Sequence, residues 1–209
     1  MPISKAQVLA WLGNLDAVYA AKKGYLTELD AAIGDADHGI NMHRGFSKVM
    51  EKLPGVADKD IGEILKTVGM TLMSSVGGAS GPLYGTFWMK GGMAVAGKDA
   101  LSVADFLRFL ETGVEGLRQR GRAEPGDKTM YDLWAPVLTE ARTFAQNGDD
   151  AAALAEALVP VGEKALAATI PLQARKGRAS YLGPRSVGHQ DPGATSSFYM
   201  LETLREALR

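Results

Sequence analysis

Apolar residues recur three and four positions apart along almost the whole chain, the spacing that lines up side chains on one face of an α-helix. Val8, Leu12, Leu15 and Tyr19 form the first stripe, behind a capping box made by Ser4 and Gln7. Tyr25, Leu26 and Leu29 predict a short second helix that stops near Gly34. Met42, Phe46, Val49 and Leu53 predict a third that stops at Pro54-Gly55. Asp60 and Glu63 cap a fourth, with Ile61, Ile64, Leu65, Val68 and Leu72 inward and Gly77-Gly78 as its end. A fifth is expected from around Pro82, and a sixth from Ser102, with Phe106, Leu110, Val114 and Leu117 inward and Gly121 closing it. Thr129 and Asp132 open another through Met130, Leu133, Trp134, Val137 and Leu138. Asp149 or Asp150 opens an alanine-rich one through Leu154, Leu158 and Val161, and Asp191-Pro192 starts the last. No window alternates β-branched and polar residues with period two. The expectation is an all-α fold of about eight helices without a sheet, in one domain spanning 1–209.

Composition narrows the function classes without naming one. The 209 residues suffice for one good-sized core, and 46% hydrophobic with 22% charged residues is ordinary for a globular chain. A net charge of −1 supplies no general field for nucleic acid or an anionic membrane, so neither is expected as a partner. The chain contains no cysteine, which removes disulfide and thiolate chemistry and fits the cytoplasm. Met1 to Leu12 does not read as a secretion signal. Thr67 to Met89 is uncharged and long enough to span a bilayer, yet Gly77, Gly78, Gly81 and Pro82 would break it in mid-membrane. Two buried helices with a glycine turn between them explain it better.

The chemistry concentrates in Leu29-Asp30-Ala31-Ala32-Ile33-Gly34-Asp35-Ala36-Asp37-His38-Gly39, which sets three carboxylates around one helix-to-helix turn. Clustered like charges repel unless a cation neutralises them, and Asp30 adds its charge to the negative end of a helix dipole. Asp35 as a turn former and Asp37 as a helix cap is the simpler alternative. A calcium loop counted from Asp35 fails, because Ile40 and Phe46 stand where glycine and an acid belong. Magnesium fits a small set of carboxylates completed by water and phosphate oxygens. His38, Gly39, Ile40 and Asn41 then form a helix start, whose free N–H groups suit a phosphate.

Other loops carry compatible signals. Gly77-Gly78-Ala79-Ser80-Gly81-Pro82 offers small backbone and a hydroxyl at a helix start, or plain helix punctuation. Gly121-Arg122-Ala123-Glu124-Pro125-Gly126-Asp127-Lys128-Thr129 looks like a phosphate loop but has the wrong spacing and no preceding strand. Arg175-Lys176-Gly177-Arg178 sits in a long glycine- and arginine-rich loop from Gln173 to Gln190, where an arginine could balance phosphate charge or simply be solvated. Asp191, Pro192 and Gly193 read as a helix start. His38, His43 and His189 lack a second histidine or cysteine at metal-ligand spacing.

Taken together, Gly34 to Gly39, Gly77 to Pro82, Glu124 to Thr129, Gln173 to Gly183 and His189 to Ala194 resemble the nucleotide-binding L subunit of bacterial dihydroxyacetone kinases. The resemblance covers nearly the whole chain, in order. It implies a barrel of eight antiparallel helices with a nucleotide at one end. It also implies that Asp30, Asp35 and Asp37 coordinate two Mg2+ ions bridging to the phosphates of ADP or ATP. His38, Gly39, Ile40 and Asn41, with Ala79 and Ser80, would line the phosphate cradle, and Gly121, Met130, Arg178, Asp191, Pro192 and Gly193 would border the rest of the nucleotide.

In that family a separate K subunit holds dihydroxyacetone, and this chain is too short to include it. In the phosphotransferase-linked version, ADP is a resident cofactor rephosphorylated by a phosphohistidine M subunit that draws on phosphoenolpyruvate. No catalytic residue is assigned to this chain, since positioning and charge neutralisation dominate phosphoryl transfer. A kinase subunit that exchanges free ATP or serves another acceptor is a second reading. A nucleotide-loaded module that contacts a transcription regulator is a third.

Overall fold

The computed structural model describes all residues, Met1–Arg209. It contains nine α-helices: α1 (Lys5–Ala21), α2 (Lys23–Ile33), α3 (His38–Lys52), α4 (Ile61–Ser75), α5 (Ser80–Ala94), α6 (Val103–Gly121), α7 (Met130–Ala145), α8 (Ala151–Ala168) and α9 (Pro192–Leu208). Eight of them form a closed ring, α1 beside α3, then α4 to α9 in order, with α9 packing back on α1. The ninth, α2, lies outside that circuit against α3, α9 and the 3-10 segment Arg178–Ser186. An all-α barrel of eight helices is therefore present, with one short helix added at its end.

Local chemistry starts the helices as the sequence predicts. Gln7 N–H donates to Ser4 Oγ while Ser4 N–H donates to Gln7 Oε1, and Ser102 with Asp105 and Thr129 with Asp132 form the same reciprocal box. Asp60 Oδ1 accepts from the N–H of Glu63 at 3.1 Å. Three expectations need correction. Helix α5 starts at Ser80, two residues ahead of Pro82, because Ala79 already takes helical dihedrals. A two-residue antiparallel pairing joins Ile3–Ser4 to Ala100–Leu101, too short to give a period-two pattern. In α2 the buried face is Leu26, Asp30 and Ile33, while Tyr25 is exposed, so this helix turns a carboxylate inward instead of an aromatic ring.

The ring interior is filled by aromatic side chains. Trp11 and Trp88 stand 4.9 Å apart between ring centres, Phe87 stacks on Trp134 at 5.0 Å, and Tyr19 meets Phe46 at 4.8 Å. Glycines let the helices around them close up. On α4, Gly62 and Gly69 are seven residues apart, and they face Gly92 and Gly85 of the antiparallel α5. A Cβ on Gly69 would lie 2.6 Å from Gly85 O, and one on Gly92 would lie 2.8 Å from Gly62 O. The other side of α5 meets α6 as closely, since a Cβ on Gly113 would stand 2.9 Å from Phe87 O. Helix α5 is thus clamped from two sides, and its first residue, Ser80, is fixed in space.

A second device anchors the long α8–α9 connection. The ammonium of Lys128, 1% exposed, donates to Thr169 O at 2.9 Å, Ile170 O at 3.2 Å and Leu172 O at 3.0 Å. These carbonyls follow the end of α8; Thr169 O and Ile170 O also accept from the N–H groups of Leu172 and Gly188, while Leu172 O has Lys128, so a buried cation acts as a shared cap. Arg175 N–H also donates to Asp127 O, tying the α6–α7 and α8–α9 loops together, and Asp191 N–H donates to Thr169 Oγ1, joining the two ends of the α8–α9 connection.

Three substitutions test this packing. Gly69→Val should lower unfolding free energy by about 2–3 kcal/mol through overpacking, whereas Gly24→Ala, with nothing within 4 Å of the added methyl, should leave it level or slightly raised. Lys128→Met should cost about 2 kcal/mol, by leaving Leu172 O without its donor and taking one donor each from Thr169 O and Ile170 O. Chemical denaturation curves report all three, and equal midpoints for Gly69→Val and Gly24→Ala would contradict the clamp.

Candidate functional site

Helices α3, α5, α7 and α9 all begin at one end of the ring, and the first residue of each, His38, Ser80, Met130 and Pro192, lines a cleft of about 790 Å³. A helix start exposes unpaired N–H groups and the positive end of its dipole. Four of them around one cleft create a field suited to a polyanion.

Opposite that field stands the acidic turn. Asp30, on the last turn of α2, is buried, and its Oδ2 accepts from Asp37 N–H at 2.9 Å and His38 N–H at 3.1 Å. Gly34 makes room for it, since a Cβ there would lie 2.9 Å from Asp30 Cγ. Between Asp35 and Asp37, Ala36 adopts φ +60°, a left-handed conformation that a non-glycine residue enters at some cost. One oxygen from each of Asp30, Asp35 and Asp37 lies within 4.8 Å of the others. Asp37 precedes α3 without capping it, so its carboxylate is available to a ligand. This all-oxygen donor set suits a hard dication such as Mg2+. Arg178 Nε supplies part of the counter-charge, 2.8 Å from Asp35 Oδ2.

The cleft brings together Asp30, Asp35, Asp37, His38, Ala79, Ser80, Met130, Arg178, Asp191, Pro192 and Gly193 from the sequence-derived set. Gly121 lies beside it, in an adjoining cavity of about 720 Å³ walled by Pro82, Leu83, Leu117 and Ala123 and shared with Met130. The run from His38 to Asn41 divides, because each helical residue turns its side by about 100°. Only His38 lines the cleft. Gly39 packs on α2, where a Cβ would lie 2.9 Å from Thr27 N; Ile40 is half exposed; and Asn41 sits against Gly77 and accepts from Arg44 at 2.6 Å. Arg44 Nε also donates to Ser75 O, pinning the loop that leads to Ala79 and Ser80.

Two charged groups at the cleft escaped sequence reasoning in their roles. Lys128 has its partners more than forty residues away, at Thr169, Ile170 and Leu172, so no local pattern announces it. Asp191 caps α9 as expected, accepting from Ala194 N–H at 2.6 Å, yet burial pushes its carboxyl up to about 7. The Ala194 N–H and Lys128 oppose that shift, while Asp132 and Asp30 add to it. Burial also pulls Lys128 and His38 down, and a buried imidazole held this way is neutral.

The sign of the Asp191 effect follows from linkage. A carboxyl that titrates higher in the folded than in the unfolded chain stabilises the fold at low pH, and that contribution is lost as pH rises from ~4 through 7. Asn keeps the capping oxygen and cannot ionise. In magnesium-free solution Asp191→Asn should therefore gain on the parent by roughly 2–3 kcal/mol between about pH 4.5 and about pH 8.5, read from thermal unfolding. A pH-independent difference would contradict the buried-carboxyl assignment.

Comparison with known proteins gives consistent findings. The model of the DAK2 domain matches residues 32–206. The chain is 50% identical over 209 residues to the ADP-binding subunit DhaL of the PEP-dependent dihydroxyacetone kinase of Escherichia coli (strain K12), covering 100% of both. It is 42% identical over 200 residues to the ADP-binding subunit DhaL of the PTS-dependent dihydroxyacetone kinase of Lactococcus lactis, covering 96% of each. The fold also matches the crystal structure of the dihydroxyacetone kinase from C. freundii in complex with AMP-PNP and Mg2+. There the TM-score is 0.74 at 22% identity, over 99% of this chain and 34% of that one. The chain belongs to the DAK2-domain family, and within it to the group of DhaL-type ADP-binding subunits of dihydroxyacetone kinases.

Proposed function

We propose that this chain carries ADP and ATP in turn, as the nucleotide-bearing subunit of a phosphoenolpyruvate-dependent dihydroxyacetone kinase. The observation that carries the reading is the meeting of three carboxylates with four helix N-termini in one cleft, in a chain matching such subunits from end to end. Asp30, Asp35 and Asp37 hold two Mg2+ ions, which neutralise phosphate charge. The start of α3 at His38, with Ala79 and the Ser80 hydroxyl, receives phosphate oxygens. The apolar cavity between Gly121 and Met130 takes the base, and Arg178 reaches across from the acidic turn to the phosphates.

The chain itself orients and neutralises. Dihydroxyacetone is held by a separate K subunit, and a phosphohistidine M subunit of the phosphotransferase system restores ATP in place. Dihydroxyacetone phosphate is the product. No helix is long and apolar enough to cross a membrane, and we assign the complex to the cytoplasm. The same loaded state could be read by a transcription regulator.

Asp30→Ala and Asp37→Ala should fold but lose nucleotide by at least ~100-fold in affinity, the order expected when a metal's immediate surroundings are broken. Mass analysis of the copurified nucleotide, with metal content, reports this directly. Retention equal to the parent chain would overturn the metal assignment. Combined with K and M subunits and phosphoenolpyruvate, the chain should yield product, and free ATP should not replace the M subunit. Turnover with ATP alone would identify an exchanging kinase subunit.

A further inference from the structure

Behind Ser80 runs a buried hydrogen-bond chain that no ligand contact explains. His38 Nδ1 lies 3.1 Å from Ser80 Oγ, and Nε2 lies 2.8 Å from Ser196 Oγ on α9. Ser196 Oγ is 2.6 Å from the Tyr84 hydroxyl and 3.1 Å from Gly193 O. Tyr84 continues to Ser197 Oγ at 2.9 Å and to Gly193 O at 3.2 Å. His38, Tyr84, Ser196 and Ser197 are buried, and of the side chains in this hydrogen-bond chain only those of Ser80 and His38 belong to residues that line the cleft.

Each hydroxyl has one proton to give, and a neutral imidazole has one donor and one acceptor nitrogen. Two complete assignments satisfy the chain. In the first, Ser80 donates to Nδ1, Nε2–H donates to Ser196, and Ser196 donates to Gly193 O. In the second, Nδ1–H donates to Ser80 and Ser196 donates to Nε2. Tyr84, 2.6 Å from Ser196 Oγ, then donates to that oxygen and leaves the Ser196 proton free for Nε2. Phosphate oxygens carrying negative charge act as acceptors. In the first assignment Ser80 presents them with lone pairs, and in the second with its proton.

We infer that Ser196 and Tyr84 are positioning residues for the nucleotide: through His38, held as the Nδ1–H tautomer, they turn the Ser80 hydroxyl into a donor to a phosphate oxygen. No proton is transferred to or from the ligand. The inference rests on the nucleotide reading above and adds residues outside the cleft to it. It also explains why three hydroxyl side chains occupy buried positions in the barrel, where each needs a partner to offset its desolvation.

The test begins with the intact chain loaded with Mg2+ and ADP. Long-range 1H–15N correlation should place the His38 ring proton on Nδ1, and a proton on Nε2 would overturn the inference. A double-mutant cycle supplies the second arm. Ser196→Ala should weaken Mg-ADP binding about fivefold, and less than about twofold when Ser80 is already Ala, because its effect passes through that hydroxyl. Equal losses in both backgrounds would reduce Ser196 to a packing residue and sink the proposal, and Tyr84→Phe gives the same comparison if Ser196→Ala fails to fold. Absence of any Mg-ADP binding by the parent chain would instead remove the nucleotide reading, and this inference with it.

Discussion

Three carboxylates held within 4.8 Å of one another need positive potential around them, and the end of the barrel is built to provide it. Alternating helix direction puts the starts of α3, α5, α7 and α9 at the same end, so four dipoles converge where the acids lie. The ninth helix has a specific part in this. A direct connection from α1 to α3 would bring only a loop to that end, whereas α2 carries Asp30 inward on its last turn and lets Gly34 to Asp37 fold back over it. Arg178 completes the arrangement from the opposite wall.

Such a site acts by geometry, so its walls must not shift. Helix α5 is pressed between α4 and α6 at glycines, which leaves its first turn little freedom to slide. Arg44 fastens the preceding loop to α3 and α4. Lys128 gathers three carbonyls beyond α8 and thereby fixes the connection that delivers Arg178 and Asp191. Removing the lysine would leave Leu172 O unpaired, a cost larger than the net worth of that bond itself. Placement of this kind is the protein's main contribution to phosphoryl transfer.

Buried polar groups mark the same region. Asp191 is pushed towards neutrality by its surroundings, and the His38 to Ser197 chain brings hydroxyls into an otherwise aromatic interior. Elsewhere the interior follows the ordinary rule of large apolar side chains in contact, from Trp11 to Trp134. The contrast separates the part of the core that supports the cleft from the part that holds the barrel.

What could be read from the chain alone was whatever depends on neighbours in sequence. Period-three-and-four stripes and the Ser4, Ser102 and Thr129 caps gave the helices, because a helix is stabilised by residues within about a turn of one another. The three acids were legible for the same reason, lying within eight residues. Only the folded barrel decided that Leu26 and not Tyr25 faces inward, that His38 alone of its run faces the cleft, and that Lys128 caps a helix forty residues away. Those outcomes depend on which helices close the ring and how near their glycines let them approach, long-range contacts that no local spacing encodes.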